Sequence, residues 1–224
     1  MLQSIKNIMY KRFHTSFAKS GVDLQVYQLL KQKVNGFYID IGAHHPIKAN
    51  NTYFFYLKGW RGICIDPNPQ FIPLYKQKRP GDIFMNIGIS NSDKAELNYY
   101  KLRKELSARN SFSEEYINTN NLIKDVESIL SIKVKKLKDV LDEVNRKNVE
   151  IDFLTIDCEG LDFEVLKSNN WELYRPMIVC IESHQELLDD LSAASTQFMN
   201  SVGYTLVGKT MQGKYVGTLF YLRK

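Results

Sequence analysis

Apolar residues along this chain fall into two periodicities. Short runs of aliphatic, aromatic and β-branched residues end in an acid or a polar turn, and stretches with helical spacing separate them. The first run is Phe37-Tyr38-Ile39-Asp40-Ile41, closed by Gly42, and the second is Gly62-Ile63-Cys64-Ile65-Asp66, closed by Pro67. Further strands are predicted over 83–89, 95–102, 132–134, 151–157 and 177–182. Helices are predicted over 22–33, 52–58, 137–146, 161–168 and 186–200. Thr52 suits the N-cap of its helix and Gly59 the residue just past the end. Two last runs, 204–209 and 215–222, read as a hairpin. Residues 1–20 read as an amphipathic helix, with Leu2, Ile5, Ile8, Met9 and Phe13 near one face. It packs on the domain or a second subunit in one reading, and lies on a membrane surface in the other.

Strands that alternate with helices predict an α/β fold, a mainly parallel sheet with helices on both faces. The expected organisation is an N-terminal helix over 1–20 and one domain over 21–224. A polar insertion near 103–131, rich in Ser and Asn, is long for a plain connection and suits a lid or a substrate loop. No internal repeat or low-complexity segment interrupts the pattern.

Composition narrows the class. The 224 residues suit one domain, and 44% hydrophobic with 25% charged residues is an ordinary globular balance. No apolar run is long enough to span a bilayer, and residues 1–13 lack the features of a secretory signal. Cys64, Cys158 and Cys180 share no metal-type spacing and read as reduced structural thiols. A cytoplasmic protein is expected. The net charge of +5 is a mild excess; it suits an anionic small molecule without establishing nucleic-acid binding. Lys133, Lys135, Lys136 and Lys138 read as a solvated face.

The chemistry gathers at strand ends. Four predicted strands finish at or near Asp40, Asp66, Asp157 and Glu182, and open α/β sheets bind ligands at that edge. Asp66 lies 24 residues beyond Gly42, about where an acid accepts hydrogen bonds from ribose hydroxyls. The turn after the first strand lacks the three glycines of a dinucleotide fingerprint, which argues against a bound pyrophosphate. A nucleoside without phosphates fits better, and S-adenosylmethionine is the commonest such cofactor on this fold. His44 and His45 are neighbours that point apart in an extended loop, so at most one is expected at the site.

Together these segments resemble the FkbM family of S-adenosylmethionine-dependent methyltransferases. The resemblance rests on Asp40-Ile41-Gly42-Ala43, on Gly59-Trp60-Arg61-Gly62 leading to Asp66-Pro67-Asn68-Pro69, and on Asn86-Ile87-Gly88-Ile89-Ser90. It continues through Ile156-Asp157-Cys158-Glu159-Gly160 with Glu164-Val165-Leu166, then Arg175-Pro176-Met177 and Ile181-Glu182-Ser183. Pro46 stands where many members carry glycine, which gives the loop a different path.

The resemblance implies a Rossmann-like sheet of seven mostly parallel strands with an antiparallel last strand. It also implies O-methylation, often of sugars in glycans or natural products. On that basis Asp40, Gly42, Ala43, His44, Asn51, Thr52, Asp66, Pro67, Asn86, Ile87 and Asp157 form the expected cofactor set. Asp40 is placed at its amino-acid end, and Asn86 and Ile87 near the adenine. Asp157, Glu159 and His184 are the catalytic candidates, with His184 or Glu159 as general base. Asp157, Glu182 and His184 are the alternative ligands of Mn²⁺ or Mg²⁺. Arg109 and Asn110 suit an anionic acceptor or a plain surface role, and Tyr53, Tyr56 and Trp60 suit helix packing.

The leading expectation is a sugar O-methyltransferase acting on a nucleotide-linked sugar or a polysaccharide precursor, with a homodimer as a reasonable assembly. An N-methyltransferase of an amine or peptide, a nucleotide-dependent oxidoreductase and a non-catalytic cofactor-binding partner are the competing readings.

Overall fold

The computed structural model describes residues 15–144 and 149–224. Ten strands occur among them: β1 Phe37–Ile41, β2 Arg61–Ile65, β3 Ile83–Met85, β4 Gly88–Ile89, β5 Glu96–Leu102, β6 Val126–Lys135, β7 Phe153–Ile156, β8 Ile178–Ser183, β9 Tyr204–Met211 and β10 Gly217–Arg223. Seven form one sheet in the order β3-β2-β1-β7-β8-β10-β9. All its neighbours pair in parallel except at β10, which runs antiparallel to both β8 and β9. This is the expected Rossmann-like arrangement.

The central strands are apolar almost throughout because both of their faces are covered. Alternate residues supply two separate cores. Ile39, Ile63, Leu154, Val179 and Leu219 face one side, where the helices Leu137–Val144, Asp162–Lys167 and Ala194–Ser201 lie. Tyr38, Cys64, Phe153, Cys180 and Phe220 face the other, with the helices Val22–Leu29, Tyr53–Leu57 and Ile72–Lys78. Tyr53 and Trp60 are buried in packing, as expected.

Strand order turns back at β1. The chain goes outward through β2 and β3, then returns to start the other half at β7. At such a switch point the loops after neighbouring strands diverge and leave a crevice at the carboxyl ends.

Several expectations need correction. The helix over 22–33 ends at Leu29, because Lys31 and Gln32 adopt left-handed backbone conformations. The strand over 83–89 divides at Asn86: β3 stays in the main sheet and β4 pairs with β6. The short strand at 132–134 is the end of the ten-residue β6, which pairs along β5 and β4 to make a second, three-stranded sheet. The helix over 186–200 is broken at Ala193, whose extended ψ of 147° separates Leu187–Ser192 from Ala194–Ser201. The amphipathic helix expected over 1–20 lies outside the described residues up to residue 14. Beyond it the chain is irregular, with one 3₁₀ turn at Lys19–Gly21.

Inside the 103–131 insertion, Lys104–Arg109 forms a 3₁₀ helix and Glu114–Thr119 an α-helix, so the segment is more ordered than its polar composition suggests. Lys135 and Lys136 pair with Glu143 and Asp93 on the surface. The three cysteines are free thiols. Among the described residues no helix is long and apolar enough to cross a membrane.

Candidate active site

Gly42 fixes the geometry of the crevice. Asp157 N–H donates to Ile41 C=O at 3.0 Å, which extends the β1–β7 ladder by one step beyond the strands. Gly42 then turns away at φ +78°, and a Cβ there would sit 1.8 Å from the Asp157 carbonyl oxygen. The glycine is therefore required by the neighbouring backbone, and the close approach keeps Asp157 at the floor of the cleft.

A recess opens beside this turn. Its walls include Gly42, His44, Asp66, Pro67 and Ile87 from the loops after β1, β2 and β3. Tyr99, Ser107, Asn110, Ser111 and Phe112 close it from the second sheet and the insertion, and Asp157, Cys158, Glu159 and Leu161 from the loop after β7.

Asp66 is buried at the end of β2. Its two oxygens accept the backbone N–H groups of His44 and Asn68, each at 2.8 Å. Burial outweighs these bonds and pushes its carboxyl up to about 7. Asn86 does not line this recess; its Nδ2 donates to the Asp66 backbone carbonyl at 2.9 Å and steadies the strand end. Asn110 is buried, its Oδ1 accepts Leu102 N–H at 2.8 Å, and its Nδ2 has no hydrogen-bond partner among the described residues. A nucleoside fits these features, with an acid for ribose hydroxyls and an unpaired donor for a heteroatom.

A second recess, of about 740 Å³, adjoins the first across Gly42, His44, Ala108 and Asp157, which line both. Its other walls include Lys19, Asp40, Ala43, His45, Lys48, Asn50 and Asn51. Both histidines reach it, contrary to the expectation of one. His44 sits at φ +45°, so the loop is not extended and the alternation rule does not apply. Burial foremost, with the positive charge of Lys19 nearby, lowers His44 to about 4, so its ring is neutral.

Thr52 lines neither recess. It is fully buried, and its hydroxyl donates to Asp40 at 2.6 Å from beneath. Asn50 also donates to that carboxylate, at 3.3 Å. Asn51 lines the second recess and donates to Thr155 Oγ1 at 3.0 Å.

Beyond Asp157 the acids crowd. Glu159, Glu182 and His184 come from the ends of β7 and β8, and one ligand atom of each lies within 4.8 Å of the others. Asp157 is not part of this set; it lies in the floor shared by the two recesses. His184 Nε2 lies 2.9 Å from Glu182 Oε2, and this bond raises the imidazole pKa. Burial first, then the charge of Glu182, raises the carboxyls of both Asp157 and Glu159. Asp162 is likewise pushed by burial to about 7.

The insertion supplies a residue that no sequence pattern marked. Tyr116, on the helix Glu114–Thr119, donates its hydroxyl to Glu159 Oε2, and Arg109 Nε donates to the same Tyr116 oxygen at 3.3 Å. Ser111 Oγ donates to the Glu159 carbonyl at 2.7 Å. The polarity of the segment hinted at function and Arg109 was a candidate from sequence, but only the fold over the cleft selects Tyr116 and Ser111.

A family profile described as Methyltransferase FkbM domain matches residues 40–206. No curated protein matches the chain significantly. Solved structures similar in overall shape include a TehB-like SAM-dependent methyltransferase from Corynebacterium glutamicum, at 11% identity and a TM-score of 0.45, covering 99% of this chain and 96% of that one. Another is the 1,6-didemethyltoxoflavin-N1-methyltransferase of Burkholderia thailandensis with bound 1,6-didemethyltoxoflavin and S-adenosylhomocysteine. It is 12% identical with a TM-score of 0.47, covering 95% of this chain and 81% of that one. A third is the precorrin-6y C5,15-methyltransferase of Geobacter metallireducens, at 11% and 0.41, covering 92% and 87%.

Proposed function

This chain belongs to the FkbM methyltransferase family, whose members depend on S-adenosylmethionine, and from that premise we propose that it methylates a sugar hydroxyl. The acceptor we infer is a nucleotide-linked sugar or a polysaccharide precursor. The observation that carries this reading is the convergence of Glu159, Glu182 and His184 beside the nucleoside recess.

When bound, the cofactor supplies an electrophilic methyl group on a sulfonium. The residues must then hold an acceptor oxygen in line with that methyl and remove its proton. A sugar hydroxyl is a poor nucleophile, so a base has to stand ready. His184 takes this role, because Glu182 orients the ring and strengthens it as a base. Glu159 is the second candidate, held by Tyr116 and lining the recess itself. Asp66 holds the ribose, and Asn110 and Ile87 stand where the base would lie.

The same side chains form a metal donor set. Two carboxylates and an imidazole suit Mn²⁺ or Mg²⁺, and a divalent ion would offset the repulsion among the clustered acids. Glu159, Glu182 and His184 would hold it, Glu159 in place of the Asp157 expected from sequence, and His184 would then be a ligand instead of the base. Such an ion would lower the pKa of the acceptor hydroxyl and orient its neighbours.

The test is transfer of a labelled methyl group to a panel of sugars, nucleotide sugars, amines and peptides, with Mn²⁺, Mg²⁺ or EDTA. Transfer to a sugar oxygen, lost in His184→Ala, is the expected result. Loss of transfer in EDTA, restored by Mn²⁺, supports the ion, whereas full activity in EDTA removes it from the reading. Product methylated on nitrogen, or no sugar accepted, overturns the hydroxyl assignment.

A further inference from the structure

The second recess has a charge pattern that the methyl-acceptor chemistry does not use. It shares Gly42, His44, Ala108 and Asp157 with the nucleoside recess, so a ligand in one can extend into the other. Asp40 faces this space with a carboxylate already engaged by Thr52 and Asn50. Lys19 and Lys48 stand on the rim, and neither has a carboxylate within ion-pair distance among the described residues.

Lys19 is held there by its surroundings. The Asp23 carboxylate accepts Phe17 N–H at 2.7 Å, Ala18 N–H at 3.2 Å and Ser16 Oγ–H at 2.6 Å, which fixes the turn leading to it. Phe17 C=O accepts Asn50 N–H at 3.0 Å, tying this segment to the loop that carries Lys48. On the far side, Ser20 Oγ donates to Met211 C=O at 2.8 Å. The positive charge of Lys19 is felt by Asp157 and His44, and that of Lys48 by His45, so both cations act inside the recess.

His45 adds a neutral donor. Its Nδ1 accepts Ile47 N–H at 3.1 Å and Lys48 N–H at 3.0 Å, which leaves the ring proton on Nε2. Two ammonium groups, an imidazole N–H and buried Asp157 line the same recess, a set that complements a zwitterion.

We propose that Lys19 and Lys48 bind the carboxylate at the amino-acid end of the cofactor, while Asp157 faces its ammonium group. The assignment rests on the cofactor class given above. Lys19 lies upstream of the segment that the family profile matches, so family membership alone does not select it.

Calorimetric titration with two ligands tests this: S-adenosylhomocysteine, and 5′-deoxy-5′-methylthioadenosine, which lacks the amino-acid end. In Lys19→Gln and Lys48→Gln the first ligand should weaken about 3- to 10-fold, and in the double variant about 30-fold, since exposed cations contribute modestly and screening limits each. The second ligand should stay within about twofold of wild type. An unchanged S-adenosylhomocysteine affinity in the double variant overturns the proposal. So does an equal loss for both ligands, which marks a structural role for the lysines. Wild-type protein that binds neither ligand overturns the cofactor class itself, a result distinct from both.

Discussion

The carboxylate of Asp66 accepts the backbone N–H of His44 at 2.8 Å, so the end of β2 is tied to the loop that follows β1. The same acid is the one we propose holds a ribose. Its orientation is therefore set before any ligand arrives, by His44 on one oxygen and Asn68 on the other. Asp66→Asn keeps a side-chain acceptor but removes the charge. It should weaken S-adenosylhomocysteine binding about 10- to 100-fold, the effect of hydrogen bonds to a charged group at roughly 1.5–3 kcal/mol. Calorimetry on the variant, with its thermal unfolding measured alongside, checks this.

Cofactor affinity should also depend on pH. Burial raises Asp66 to about 7 in the ligand-free protein, and ribose hydroxyls donate best to the ionised form. Below pH 7 the acid must lose a proton before it can accept them. Affinity should therefore fall as pH drops below about 7 and level off above it, by at most about tenfold per unit for one proton. The sign for folding is opposite. An acid raised from 3.8 to about 7 penalises the folded state most above pH 7, and the penalty fades as pH falls toward 3.8. Titrations from pH 5.5 to 8.5 on wild type and Asp66→Asn decide the matter; the variant should lose this step, and a flat wild-type profile would contradict it.

Gly42→Ala should be poorly tolerated for a reason unrelated to ligand contact. The new methyl group would meet the Asp157 carbonyl oxygen at 1.8 Å, and φ +78° disfavours any side chain. Separating β1 from the β7 loop should cost on the order of 3 kcal/mol in denaturant unfolding. A variant with wild-type stability would show that the two backbones part easily.

Arg79 should prove a structural residue despite lying so near the site. It is buried and pairs with buried Asp82 at 2.7 Å. Its guanidinium also donates to Asn50 Oδ1, Thr52 Oγ1 and the Tyr38 hydroxyl, each at 2.9 Å. Arg79→Met leaves Asp82 charged and unpaired in the core, which typically costs about 3–5 kcal/mol. The loss should appear as a lower denaturant midpoint with an unchanged slope.

Tyr116→Phe addresses the insertion. The hydroxyl that reaches Glu159 is lost, whereas the ring that packs at Gly160 remains. S-adenosylhomocysteine affinity should be unchanged, and the KM of the acceptor should rise about 3- to 10-fold, in line with the roughly 1 kcal/mol of one ordinary hydrogen bond. A change in cofactor affinity instead would place Tyr116 on the wrong side of the cleft.

The sequence by itself determined the frame. Runs such as 37–41 and 62–66 can be read because a strand buried on both faces must be apolar along its whole length, and their terminal acids mark the ligand edge. The terminal hairpin could be read in the same way, and the family resemblance implied that its last strand runs antiparallel. Local patterning carries such features because they depend on neighbours a few residues away.

Tertiary structure decided how the site is shared out. Asp66 and Asn86 look alike at strand ends, yet one presents its carboxylate to the recess and the other braces a carbonyl. Asp40 and Thr52 turn out to be each other's partners. Glu159 stands with Glu182 and His184, and Tyr116 and Lys19 arrive from segments with no motif at all. Each of these depends on contacts between residues far apart in the chain. Period and propensity describe only what a residue does to its own backbone, so the folded sheet and the loops at its edge had to select among chemically equivalent candidates.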